Sequence, residues 1–81
     1  MIRYITNQKV EIDIHQMTRD QARSSICKFL DRVNGGVKEV VIIHGYSSGT
    51  VLKEMVQRMK HPKIKNRMLS LNPGVTTFFL K

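Results

Sequence analysis

The sequence is poor in cysteine, in tryptophan and in long apolar runs. Cys27 is the single cysteine among 81 residues, and tryptophan is absent, so no disulfide can form within the chain. No apolar run approaches the roughly 18 residues that a membrane-spanning helix needs. The N-terminus also lacks the apolar segment of a secretory signal. These absences predict one soluble domain in a reducing, cytoplasmic setting that does not enter a membrane.

Several enzyme signatures are missing as well. The sequence contains neither the G-x-x-x-x-G-K-[ST] phosphate loop nor the G-x-S-x-G nucleophile elbow. One cysteine and three scattered histidines do not match the ligand spacing of a structural zinc site. Cys27 falls on or beside the apolar stripe of a predicted helix, which favours a small core residue over a nucleophile.

Acidic residues are scarce, and the basic residues are unevenly placed. Fourteen Lys and Arg face six Asp and Glu, which gives a net charge of +8. Between positions 53 and 67 one carboxylate, Glu54, stands among six cations: Lys53, Arg58, Lys60, Lys63, Lys65 and Arg67. Such a field attracts polyanions of any sequence. It predicts a DNA or RNA partner at these six residues, with a solvated surface or a face for an acidic protein as alternatives.

Periodic apolar residues predict the order βαβαββ. Residues 1–8 show no period and fit either a loose arm or an edge segment, so the domain is expected to span residues 9–81. Val10–His15 alternates apolar and polar residues, as half-buried strands do. A helix follows, because Thr18-Arg19-Asp20-Gln21 matches a capping box and Asn34-Gly35-Gly36 provides a stop.

The second half of the chain repeats the strand and helix and then adds two strands. Val40–Ile43 is a continuous apolar run, which predicts a central parallel strand covered on both faces. A helix is expected after Gly49, capped by Ser48 or Thr50 and ended by Pro62. Residues 68–71 and 76–80 read as strands, and the turn at 72–74 predicts that they form a hairpin.

Two histidines follow the two predicted parallel strands. The first strand ends at His15 and the second at His44. Because carboxyl ends of neighbouring parallel strands meet at one edge of a sheet, both rings should flank one crevice, with Asp13 beside His15. The loop Gly45-Tyr46-Ser47-Ser48-Gly49 would complete the crevice. Its glycines, its serine hydroxyls and the following helix N-terminus favour a bound phosphate.

Each of these features has a plain structural alternative. His15 alone could be a surface residue of a strand, and His44 alone could be a neighbour of a helix cap. A Gly-Ser loop is most often an ordinary connection from strand to helix, and Asp13 could cap a turn. The convergence of all four features at one edge of the sheet favours a functional site.

These motifs resemble a known family. The stretch Ile-Asp-Ile-His at 12–15 looks like the L-D-x-H motif of the Smr (small MutS-related) domain. His-Gly-Tyr-Ser-Ser-Gly at 44–49 looks like its H-G-x-G-x-G motif. The resemblance spans about residues 9–81. It implies an α/β (α+β) fold, a two-layer βαβαββ sandwich whose mixed four-stranded sheet carries two helices, similar to the C-terminal domain of translation initiation factor three.

The resemblance also implies DNA or RNA binding, often with nicking or endonuclease activity. It assigns cleavage to Asp13 and His15, and binding or site shape to His44, Gly45 and Gly49. Two departures stand out, since Gln16 replaces a glycine after the first motif and Ser47 replaces the middle glycine of the second. A divalent cation, Mg²⁺ or Mn²⁺, is compatible with one Asp and two His but is not required by them.

The leading hypothesis is therefore a nucleic-acid endonuclease in which His15 acts as general acid or base and Asp13 orients it or holds a cation. Ser47 and Ser48 would contact a phosphate together with the loop amides. A non-catalytic DNA- or RNA-binding module and a protein-interaction domain are the alternatives. The sequence does not distinguish DNA from RNA as the ligand, and it does not fix the oligomeric state. A monomer is compatible with the length of the chain.

Overall fold

The computed structural model describes residues 1–45 and 50–81. Over these residues the chain forms five strands and two helices: β1 (Ile2–Tyr4), β2 (Lys9–Asp13), α1 (Arg19–Arg32), β3 (Glu39–Ile43), α2 (Val51–Arg58), β4 (Ile64–Leu69) and β5 (Val75–Leu80). The expected βαβαββ order is confirmed for residues 9–81. The expected count of four strands is wrong by one, because the segment before residue 9 supplies β1.

The five strands form one mixed sheet in the order β1-β2-β3-β5-β4. β1 pairs antiparallel with β2 at the edge, and β2 pairs parallel with β3. β4 and β5 form the predicted antiparallel hairpin, and β5 also pairs antiparallel with β3. In the parallel pair Asp13 lies opposite Ile43, so β2 and β3 end at the same level. This register brings the residues after both strands to one edge.

The capping box of α1 is confirmed. The Thr18 hydroxyl accepts a hydrogen bond from the Gln21 backbone N–H at 3.2 Å, and the Gln21 side chain accepts one from the Thr18 N–H at 3.1 Å. Two of the unpaired donors at the helix start are satisfied in this way. α2 begins after Thr50, whose side chain makes no capping hydrogen bond. Ser48, the other predicted cap, lies outside the described residues.

Both helices pack on the same face of the sheet. The core joins apolar residues of α1 and α2 to alternate residues of the strands: Val10, Ile12, Ile14, Ala22, Ile26, Leu30, Val40, Ile42, Met55, Val56, Met59, Phe78 and Leu80. On the opposite face Val41 and Ile43 are only half-buried. The expectation that β3 is covered on both faces is therefore wrong, and the domain has two layers. Within residues 1–45 and 50–81 neither helix is long and apolar enough to cross a membrane.

Candidate active site

Asp13 and His15 form a hydrogen-bonded pair at the carboxyl end of β2, of which Asp13 is the last residue. One carboxylate oxygen of Asp13 accepts the His15 backbone N–H at 3.1 Å, and the same oxygen contacts Nδ1 of the His15 ring. The carboxylate therefore fixes the orientation of the His15 ring, because it accepts a hydrogen bond from the Nδ1–H group of that ring. About half of the His15 side chain, 49%, remains exposed. The opposite ring nitrogen, Nε2, is left with a lone pair when the imidazole is neutral.

The surroundings of Asp13 keep its carboxylate ionised. Partial burial would raise the pKa of Asp13, but the hydrogen bonds from the His15 ring and backbone, with the charge of that ring, outweigh burial and lower it. The carboxylate is thus charged throughout the range in which imidazole titrates. A permanent negative charge at Nδ1 holds the ring in one orientation.

Gly45 sets how closely the second loop approaches His15. Its φ is +74°, a left-handed conformation, and a Cβ added there would lie 3.3 Å from the His15 Cβ. A side chain at this position would be both strained and crowded. Gly45 therefore shapes the site by leaving room for His15. The other residues predicted for this loop, Tyr46, Ser47, Ser48 and Gly49, lie outside the described residues.

His44 is buried, with 2% of its surface exposed. Its Nδ1 lies 2.9 Å from the Gly45 carbonyl oxygen, which can only accept, so Nδ1 carries a proton and donates. Its Nε2 lies 2.9 Å from the Thr76 hydroxyl. Because both ring nitrogens have partners inside the domain, a contact from this ring to a phosphate would break one of these bonds. The geometry supports a positioning role in place of the predicted direct contact.

A backbone carbonyl in the turn before β5 holds the segment of His44 and Gly45 at the end of β3. The Gly74 oxygen accepts the backbone N–H groups of His44 at 2.9 Å and Gly45 at 3.0 Å. Together with Thr76 it anchors the end of β3 from the neighbouring strand. Sequence reasoning gave Gly74 and Thr76 no role in the site. Their contribution depends on β5 lying beside β3, which a hairpin signal does not reveal.

The two histidines meet at one crevice, as the sequence predicts. A cavity of about 350 Å³ is lined by both rings together with Gln16, Met17, Thr18, Arg19, Val51 and Leu52. His15 enters from an exposed turn, whereas His44 enters from the core side of the sheet. The parallel register of β2 and β3 produces this meeting.

The predicted basic run between positions 53 and 67 is divided between α2, the turn after it and β4. Both terminal nitrogens of Arg67 donate to carbonyls at the end of α2, those of Val56 and Met59, at 2.7 Å each. Its guanidinium also lies 5.3 Å from the centre of the Phe78 ring. Arg67 is thus held by carbonyls of the domain itself, which gives it a structural role, and its role in phosphate binding stays a prediction.

Other members of that run differ in burial and in partners. Lys63 donates to the carbonyl of Asp31 at 3.3 Å, near the end of α1. Lys65 is exposed at the irregularity of β4, and Lys53 is half-buried on α2. Only Arg58 and Lys60 join a common cavity, a groove of about 590 Å³ between the helices that also includes Arg19 and Arg23. The sequence analysis gave neither of these two arginines a role in binding.

The described side chains do not build a protein-ligated metal centre. Across residues 1–45 and 50–81 no three His, Cys, Asp or Glu side chains come close enough to hold one ion. The Asp13–His15 hydrogen bond uses one carboxylate oxygen and the ring Nδ1, and it leaves the second carboxylate oxygen and Nε2 outside that bond. The compatibility of this site with Mg²⁺ or Mn²⁺ stays a prediction, and the proposed reaction uses protein groups alone.

Comparison with known proteins places this site in a family. The family model of the Smr domain matches residues 12–77. The chain is 36% identical over 77 residues to the endonuclease MutS2 of Clostridium tetani, covering 88% of this chain and 10% of that protein. It is also 36% identical over 61 residues to the endonuclease MutS2 of Alkaliphilus oremlandii, covering 70% of this chain and 8% of that protein. The chain thus spans about a tenth of the length of these curated relatives.

A solved structure shares the fold. The Smr domain of Thermus thermophilus MutS2 superposes with a TM-score of 0.77 at 17% identity. The match covers 88% of this chain and 96% of that domain. The expected architecture of a mixed sheet with two helices is confirmed by this similarity.

Proposed function

Because the chain belongs to the Smr domain family, we propose that it binds nucleic acid and cleaves a phosphodiester bond at the Asp13–His15 pair. One observation carries the proposal: His15 is oriented by an ionised carboxylate at Nδ1 and is half exposed beside a cavity. An imidazole held in this way can exchange a proton with a reacting oxygen. Relatives named as endonucleases support this class of reaction.

In the proposed reaction His15 acts as a general base. Its Nε2 takes the proton of an oxygen nucleophile, which is water or, on RNA, a ribose 2′-hydroxyl. The nucleophile forms a new bond to phosphorus while the bond from phosphorus to the leaving oxygen breaks. The leaving oxygen then takes a proton from solvent. Asp13 supports the imidazolium that forms, because its negative charge lies against Nδ1.

Arg19 adds a positive charge to the site that was not predicted from the sequence. Its side chain lines the cavity that His15 and His44 share. A guanidinium there can offset charge on the phosphate oxygens as the nucleophile adds. Arg19 is placed at this point because α1 begins there, immediately after the Thr18 cap.

The proposal is tested by cleavage assays on supercoiled DNA and on structured RNA, each with and without EDTA. We expect His15→Ala to lower cleavage by about 100-fold or more, the usual contribution of a general base, while binding stays nearly unchanged. Asp13→Asn should lower cleavage less. His61→Ala provides a matched control, because His61 also pairs with an aspartate, Asp31, but lies outside the cavity.

Cleavage that survives in His15→Ala would remove His15 from the chemistry. If wild-type protein binds nucleic acid but cuts neither substrate in any buffer, the endonuclease proposal fails and a binding module remains. Binding to neither DNA nor RNA would favour the protein-interaction alternative.

A further inference from the structure

The cavity between the two helices is strongly basic. Four cations line it, namely Arg19 and Arg23 from α1 and Arg58 and Lys60 beside or on α2, with Glu54 as the single acidic residue in its lining. The ion pairs found within residues 1–45 and 50–81 involve none of these four cations. Their charge is therefore available to a ligand rather than neutralised within the described part of the domain.

This groove continues into the crevice that holds His15. Arg19 and Val51 line both cavities, so the two share a wall. A chain of phosphates lying along the groove would therefore reach the crevice at Arg19. Neighbouring cations along one path, with a reactive group at its end, suit an extended polyanion better than a single small anion.

The lining also indicates which part of a nucleic acid is recognised. Apart from the charged residues it contains Val51, Met55 and Met59, and no aromatic or amide side chain among the described residues faces this groove. Stacking platforms and bidentate amides are what proteins use to read bases. Cations without them contact the backbone and ignore sequence.

We propose that the α1–α2 groove binds the sugar–phosphate backbone of one nucleic-acid strand and leads it to the Asp13–His15 pair. This inference rests on the proposed function, since it concerns the same ligand. It relocates the binding surface, because Arg19 and Arg23 replace Lys63, Lys65 and Arg67 of the basic run. Binding is expected to be independent of sequence and steeply dependent on salt.

The test measures binding of a fluorescent single-stranded oligonucleotide by anisotropy at several salt concentrations. Arg23→Glu with Arg58→Glu should weaken binding by on the order of tenfold at low salt. The same change should lower the slope of log affinity against log salt by about 1.4, because each phosphate contact to a single strand contributes about 0.7. Lys28→Glu with Lys65→Glu is the matched control, with equal charge change at exposed residues outside the groove.

A second variant moves affinity in the opposite direction. Glu54→Gln removes the acidic residue of the groove, so affinity should rise a few-fold while the fold is kept. This gain cannot result from misfolding. Circular dichroism checks the reversed variants, and Arg23→Gln with Arg58→Gln is used if reversal unfolds the domain.

Three results would overturn the groove. The first is an equal loss of affinity in the groove variant and the control variant. The second is unchanged affinity in Arg23→Glu with Arg58→Glu. The third is poly-glutamate that binds as tightly as the oligonucleotide at equal salt. In each case His15-dependent cleavage could still be present, so failure of the groove is distinguishable from failure of the proposed endonuclease. If His15→Ala abolishes cleavage but the groove variants bind the oligonucleotide as wild type does, the strand binds to another face of the domain.

Discussion

At the scale of single residues, Gly45 controls the space in front of His15. Gly45→Ala forces a side chain into a left-handed conformation, which costs about 1–2 kcal/mol, and its methyl group would crowd the His15 Cβ. We expect a melting temperature lower by about 4–8 °C for each kcal/mol lost, together with cleavage that falls more than binding. Thermal unfolding and the cleavage assay measure the two effects.

Gly35→Ala is the control for this change, because no heavy atom lies within 4 Å of a Cβ built at Gly35. That variant should melt close to wild type and keep full activity. Equal behaviour of the two alanine variants would contradict the role given to Gly45.

Asp13 makes stability depend on pH at the acidic end. Its pKa is lower in the folded chain than in the unfolded chain, so the unfolded state binds more protons as the solution is acidified. The resulting stabilisation is fully present above the unfolded value, about 4, and is lost as pH falls through the lower folded value. In Asp13→Asn this contribution is absent.

Urea unfolding of both proteins between about pH 2 and 7 measures this difference. Wild type should be the more stable protein at neutral pH, and the two unfolding free energies should converge as pH decreases below about 4. A constant difference across this range would show that the Asp13–His15 hydrogen bonds do not favour the ionised carboxylate.

At the scale of elements, Arg67 joins the edge strand β4 to the end of α2. Its two charged hydrogen bonds satisfy helix carbonyls that have no partner within the helix. Arg67→Met keeps the apolar stem and removes the guanidinium, so we expect a loss of about 2–3 kcal/mol. Lys65→Met, two positions earlier on the same strand and exposed, should change stability little.

Thermal and urea unfolding compare these two variants, and oligonucleotide binding provides a second readout. If Arg67 contacted phosphates, Arg67→Met would lower the affinity for the oligonucleotide even under conditions in which the domain stays folded. An unfolding free energy of Arg67→Met equal to that of Lys65→Met would contradict the structural role of Arg67.

The sequence predicted those elements that depend on residues close together in the chain, such as a helix cap or a tight turn. The α1 helix follows from its capping box and stripe, and the final hairpin follows from a short Asn-Pro-Gly turn. For β1 the sequence left a loose arm and an edge segment as alternatives, because three exposed residues carry no period; they pair with β2 through the backbone and an Arg3–Glu11 ion pair. β4 begins at Ile64, earlier than expected, because polar residues on an edge strand hide its alternation.

At the scale of the whole molecule, the meeting of His15 and His44 could be derived from the sequence, because parallel pairing brings strand ends together. The basic groove between α1 and α2 could not. Residues 53–67 run along α2, a turn and β4, so the cations of this run are divided between three parts of the fold. The helix groove forms only when α1 and α2 pack, and it takes cations from parts of the chain that are distant in sequence.

The position of β5 has a consequence for how the chain matures on the ribosome. β5 is the last strand in sequence, yet it lies inside the sheet between β3 and β4. It holds His44 through Thr76, 32 residues away. Until β5 has emerged, β3 presents an unpaired edge, which is prone to aggregation, and His44 lacks its partner.

Under the proposed function, the His44 side of the crevice is therefore complete only once β5 has been translated. A chain ended after Leu71 should show no cooperative unfolding transition and no protected amides in β3 by hydrogen exchange. Native-like protection in that shortened chain would show that the sheet closes without its last strand.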